Sequence, residues 1–117
     1  MEILKMEILK KNKEFQRVYR RGVSAGDEVL VVFLLPNRAG KVRFGFSVSK
    51  KVGKAVVRNR VRRVLREICR LNENWFPTGH DVVIMARSAA REMGFRELAE
   101  HVRKLAVRAA RKRGVRG

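Results

Sequence analysis

Eleven Lys or Arg residues and a single acid, Glu67, fall between Lys41 and Arg70, the densest basic block of the chain. Arg58, Arg62, Arg66 and Arg70 recur every four residues, Arg60 and Arg63 widen the row, and Asn59 lies in its middle. At about 100° per residue these side chains share one side of a helix predicted over about 55–71, and Val57, Val61, Val64, Leu65, Ile68 and Leu71 share the other. Like charges one turn apart repel by a few tenths of a kcal/mol per pair, and a helix serving only solubility would interleave Glu. A one-signed row suits the phosphates of a polyanion. Lys50, Lys51 and Lys54 precede it in KKVGK, where the backbone around Gly53 and the open N–H groups of a helix start add donors for phosphate.

The other residues capable of chemistry are scattered. The acids form no close cluster of the kind a two-metal nuclease needs. Asp27 and Glu28 are adjacent in a loop, where their side chains diverge. His80 and Asp81 read as a turn with a solvated or capping pair, and His101 as an ordinary edge residue of the last helix. The lone Cys69 excludes an internal disulfide and reads as a packing residue. There is neither zinc-ligand spacing nor a Walker-type phosphate loop. Binding, rather than catalysis by side chains, is what this inventory supports.

The elements that must position the basic row follow from apolar patterning. A chain of 117 residues with 45% hydrophobic and 34% charged residues is one domain, 1–117, able to bury a core. A net charge of +18 and a pI of about 11.6 point to nucleic acid first and an anionic membrane surface second. No apolar run reaches the roughly 18 residues of a membrane span. The start lacks the continuous apolar stretch of a signal peptide, so the expected location is the cytoplasm. The tandem MEILK copies at 1–10 read as an extension of the first helix or a frayed end, and 113–117 as a basic tail.

Asn12 is a candidate cap for a helix over 13–21, stopped by Gly22, with Phe15 and Tyr19 one turn apart. Ser24 to Asp27 reads as a loop. Val29 to Leu35, carrying Phe33, is a strand apolar on both faces, so both faces should be covered. Val42 to Ser49 alternates, with Val42, Phe44, Phe46 and Val48 on one face and Arg43, Gly45, Ser47 and Ser49 on the other. That second face of small and polar residues leaves room for a ligand backbone. After the basic helix, Trp75 to Pro77 form an apolar plug, 81–86 a buried strand and 95–112 an amphipathic helix. The order is α-β-β-α-β-α, an α+β sandwich in which the strands flanking the basic helix run parallel.

The run SVSKKVGKAVVRNRVRRVLRE, Ser47 to Glu67, resembles the core motif of the bacterial ribonuclease P protein family: a strand, a Ser-Lys-Lys turn, a Gly, and a helix opening on Arg-Asn-Arg. NKEFQRVYRRG upstream and DVVIMAR downstream extend the resemblance over about residues 12–112. It implies a two-layer α+β sandwich, α-β-β-β-α-β-α, whose small mixed sheet carries a left-handed βαβ crossover like that of a ribosomal-protein domain. It implies an endoribonuclease subunit whose partner, a catalytic RNA, removes the 5′ leader of precursor tRNA with Mg²⁺ held mainly by the RNA, one protein per RNA. Lys50, Lys51, Lys54, Arg58, Asn59, Arg60, Arg62, Arg63 and Arg66 would then meet the catalytic RNA. Phe15, Tyr19, Phe33, Ser47 and Ser49 would line a cleft for the single-stranded leader. The alternative from charge and fold alone is a structural, ribosomal-type RNA-binding protein with no part in cleavage.

Overall fold

The structure is a computed structural model and describes residues 6–114. Its elements are β1 (Glu7–Ile8), α1 (Asn12–Arg21), β2 (Val23–Gly26), β3 (Leu30–Pro36), β4 (Arg43–Val48), α2 (Ala55–Leu71), β5 (His80–Ala86) and α3 (Phe95–Arg113), with 3₁₀ turns at Glu73–Trp75 and Ser88–Glu92. The sheet order is β1-β4-β5-β3-β2. β4 runs parallel to both β1 and β5, whereas β3 runs antiparallel to β5 and to β2. α2 thus connects two adjacent parallel strands, as the sequence requires.

Pleating sorts the strands into two faces. Phe44 opposes Val82, Phe46 opposes Ile84, and Val32 opposes Ile84 from the other side, so one face is continuously apolar. α2 covers it with Val61, Leu65 and Ile68, and α3 with Leu98, Val102, Leu105 and Ala109, all with no exposed surface. Each large aliphatic buried there contributes about 1.5–3 kcal/mol. The expected plug is present: Phe76 packs its edge on Phe44, ring centroids 5.2 Å apart.

The opposite face is only partly covered. α1 lies across it, with Val18 buried against Val83 and Leu9, and with Phe15, Tyr19, Phe33 and Leu35 packed around them. The α+β sandwich therefore carries a partial third layer, and both sides of β3 are covered as its composition demands.

Three local readings change. The second MEILK copy extends no helix: Glu7 and Ile8 pair with Arg43 and Phe44, the Leu9 N–H donates to the Phe44 carbonyl at 2.7 Å, and Leu9 is buried. The first copy lies outside the described residues, as do the last three residues of the basic tail. Residues 23–26 are the edge strand β2 rather than a loop. A four-residue Gly/Ser-containing strand has no alternation to announce it; pairing with β3 creates it. Asn12 is the first helical residue instead of the cap. The open end is met by Glu14, whose carboxylate accepts from the Lys11 N–H at 3.1 Å.

Candidate nucleic-acid interface

α2 presents its basic row away from the core, and the row is not uniform. Lys54, Asn59, Arg63 and Arg66 are exposed; Arg58 and Arg62 are half-buried. Arg62 donates to the Asn59 side-chain oxygen at 2.9 Å, and these two with Arg63 and Arg66 line a shallow notch of about 230 Å³. Arg58 Nε is buried with no partner among the described residues. Two arginines are spoken for. Arg60 donates to the Arg91 and Met93 carbonyls at 2.7 and 3.4 Å, fastening α2 to the turn before α3. Arg70 forms a two-bond pair with Glu67, which holds that carboxyl below its ordinary range. The unpaired row therefore ends at Arg66. The turn feeding it depends on Gly53, whose φ of +155° is unfavourable for a side chain and whose Cβ would sit 3.1 Å from Val57.

On the sheet face that α1 leaves open, Tyr19 meets Phe33 edge-on at 5.0 Å and Phe15 at 6.3 Å, all three half-buried. Such rings are anchored by packing yet keep surface free. The expected room at Gly45 is already filled: a Cβ there would lie 2.8 Å from the Phe15 ring. The open face begins one pleat further along β4. Ser47 and Ser49 line a groove of about 450 Å³ with Lys51, Met85, Ala86, Arg87 and Ser88. Ser88 Oγ donates to the Lys51 carbonyl at 3.2 Å, tying the lysine turn to the end of β5. Aromatic cluster, groove, lysine turn and α2 thus follow one another around the end of the sheet. Arg87 joins this groove without a sequence signal, because a lone Arg after a strand carries no periodicity to single it out.

Several groups passed over as ordinary prove to be structural. Asp81 is fully buried, not solvated, and takes both oxygens to Arg43 at 2.8 and 2.9 Å plus the Asn37 amide at 2.8 Å. His101 is not a plain surface residue: its Nδ1 lies 2.6 Å from Asp27 Oδ2. Asp27, Glu28 and His101 bring ligand atoms within 4.8 Å of one another, yet Asp27 is already engaged by His101 and by Lys104 at 3.4 Å. Cys69 is buried, which pushes its thiol well up and keeps it inert, as its place on α2 suggested. No described helix is long and apolar enough to cross a membrane.

The family model for ribonuclease P matches residues 4–110. A ribonuclease P protein component from Pelotomaculum thermopropionicum is 47% identical over 104 residues, covering 89% of this chain and 93% of its own. One from Clostridioides difficile is 38% identical over 109 residues, covering 92% and 96%. Among solved structures, the RNase P protein of Thermotoga maritima superposes with a TM-score of 0.79 at 32% identity, covering 87% of this chain and 96% of that one. That of Staphylococcus aureus gives 0.78 at 32%, covering 86% and 93%. With sequence, fold and motif in agreement, the chain belongs to the ribonuclease P protein family.

Proposed function

We propose that this protein is the RNA-binding subunit of ribonuclease P, an endoribonuclease, and that it assists a catalytic RNA in removing the 5′ leader from precursor tRNA. The observation that carries this is the adjacency of two unlike surfaces: an arginine helix with one sign of charge, and an open sheet face with half-buried aromatics, joined by the Lys50–Lys51 turn. Lys50, Lys51, Lys54, Arg58, Asn59, Arg62, Arg63 and Arg66 hold phosphates of the catalytic RNA, releasing counterions. Arg60 supports that surface by fixing α2 in place. Phe15, Tyr19 and Phe33 take bases by stacking, with Ser47, Ser49 and Arg87 along the strand's path. Holding leader and catalytic RNA together raises the local concentration of substrate at the RNA's active site. Mg²⁺ is held mainly by the RNA in this reading; in the one described cluster of ligand types, Asp27 is already engaged by His101 and Lys104.

Incubating precursor tRNA at low Mg²⁺ with protein, catalytic RNA, or both tests the assignment. Cleavage is expected only with the RNA, and more of it when the protein is added. Cleavage by the protein alone, or no stimulation, would overturn the reading; no stimulation would favour a purely structural RNA binder. The two surfaces separate by substitution. Phe15→Ala should weaken binding of leader-bearing precursor by about 5- to 150-fold, the loss of one stacked base. Arg63→Ala should instead weaken catalytic-RNA binding and flatten its salt dependence by about one unit of slope.

A further inference from the structure

A second groove lies on the other flank of α1. Arg17 and Arg21 of α1, Leu35 and Pro36 of β3, Asn37, Arg38 and Ala39 of the following turn, and Arg43 of β4 enclose about 420 Å³. It is lined by four arginines and has no aromatic ring, unlike the cleft. Behind two of these arginines lies the buried Asp81, which binds Arg43 at 2.8 Å and lies 3.7 Å from Arg17, while Glu14 lies 3.7 Å from Arg43. Two hydrogen bonds to Asp81 fix the orientation of the Arg43 guanidinium and hold it above its ordinary pKa. No acid among the described residues pairs with Arg21 or Arg38, so two positive charges face the groove uncompensated.

The wall bearing Arg38 is built. The Asn37 side chain donates to the Lys41 carbonyl at 3.0 Å and to Asp81 at 2.8 Å, and accepts from the Ala39 N–H at 2.9 Å. One amide therefore clamps the turn at both ends and ties it to the buried carboxylate. A fully buried charge is costly unless paired and often adds nothing to stability over an apolar residue, though such groups can fix a geometry. Here the geometry fixed is a fork of guanidinium groups, two held from beneath and two free. Arginine forks match the oxygens of a phosphate.

We infer that this groove binds a backbone phosphodiester of the same single-stranded leader, distal to the nucleotides stacked in the aromatic cleft. This rests on the leader-binding reading above. The source is the leader because the groove opens on the sheet face that bears the cleft, while α2 lies against the reverse face. Phe15 seated on Gly45 blocks a direct path between the two, so the strand passes over α1, roughly 10 Å across. Leu35 and Pro36 offer the ribose an apolar rest.

The double variant Arg21→Gln/Arg38→Gln tests it, since neither residue supports Asp81. Affinity is measured against salt for precursor with a leader of about ten nucleotides, for precursor with a leader of only a couple, and for catalytic RNA alone. Thermal melting checks the fold. The expected result is a loss confined to the long leader, with the salt slope shallower by about 0.7, the value for one single-strand phosphate contact. Equal loss on all three RNAs, loss on catalytic RNA alone, or no loss overturns the inference. Phe15→Ala, run in parallel, reports the cleft: if it too is indifferent to leader length, the leader reading fails; if it alone responds, only the groove fails.

Discussion

Gly45 shows how one missing methyl shapes the cleft. The Phe15 ring reaches the sheet only because β4 has no side chain beneath it, and a Cβ would lie 2.8 Å from two ring atoms and 3.4 Å from Leu9 Cβ. Leu9 is buried, whereas Phe15 is half-buried and can give way toward solvent, carrying its stacking surface with it. Gly45→Ala should therefore cost about 1–3 kcal/mol of stability through overpacking. It should also weaken leader-bearing precursor by several-fold while leaving catalytic-RNA affinity intact. Calorimetry beside the two binding assays checks this; equal weakening for both RNAs would mean that the substitution acts through general unfolding. Sequence marked Gly45 as room for a ligand, and the room was there. That the protein's own aromatic fills it depends on α1 crossing the sheet, which local patterning does not encode.

At the scale of elements, what was legible followed from periodicity. β3, β4, β5 and the two long helices announce themselves because each buries a long apolar face. β1 and β2 do not, being two and four residues long and stabilised by partners remote in sequence. The β2–β3 hairpin shows the same non-local logic. Asp27 Oδ1 accepts from the Val29 and Leu30 N–H groups at 2.8 and 3.0 Å, closing the turn, while Oδ2 pairs with His101 on α3. Burial alone would raise the Asp27 pKa, but the His101 and backbone hydrogen bonds outweigh it and hold the carboxyl well below the ordinary 3.8. The native state thus binds this proton less readily than the unfolded chain does. The contribution of the Asp27 carboxylate is fully present above the ordinary carboxylate range and is lost progressively as pH falls through and below it. Asp27→Asn should cost about 1–3 kcal/mol at neutral pH, and the gap from the parent protein should narrow between pH 5 and 3 in denaturant titrations. A gap independent of pH would show that Asp27 acts only as a turn former.

For the molecule as a whole, charge governs stability and binding in opposite directions. Twenty-nine basic residues face eleven acids. Four of the acids serve internal purposes: Asp81 binds Arg43 of β4, Asp27 pairs with His101 of α3, Glu67 pairs with Arg70, and Glu14 meets the start of α1. None relieves the stretch from Lys50 to Arg66, so like charges there repel at close range, by a few tenths of a kcal/mol for each pair a turn apart. This is why the basic row stands out in the sequence as a candidate interface by its pattern alone, whereas the cleft residues follow only from the family resemblance: an unrelieved charge is visible residue by residue, a surface shared by three elements is not. The same repulsion strains the free protein, and its Debye screening length shrinks from about 14 Å to about 4 Å on going from 50 to 500 mM NaCl. Relieving about 1 kcal/mol in a domain of this size raises Tm by about 3–6 °C. The free protein should therefore melt several degrees higher at 500 mM NaCl than at 50 mM, while its affinity for RNA falls steeply over the same range. Neutralising Arg63 and Arg66 together should remove part of the Tm rise and part of the affinity. If Tm is flat or falls with salt, the row is relieved within the protein and does not need a polyanion; differential scanning calorimetry at the two salt concentrations decides between them.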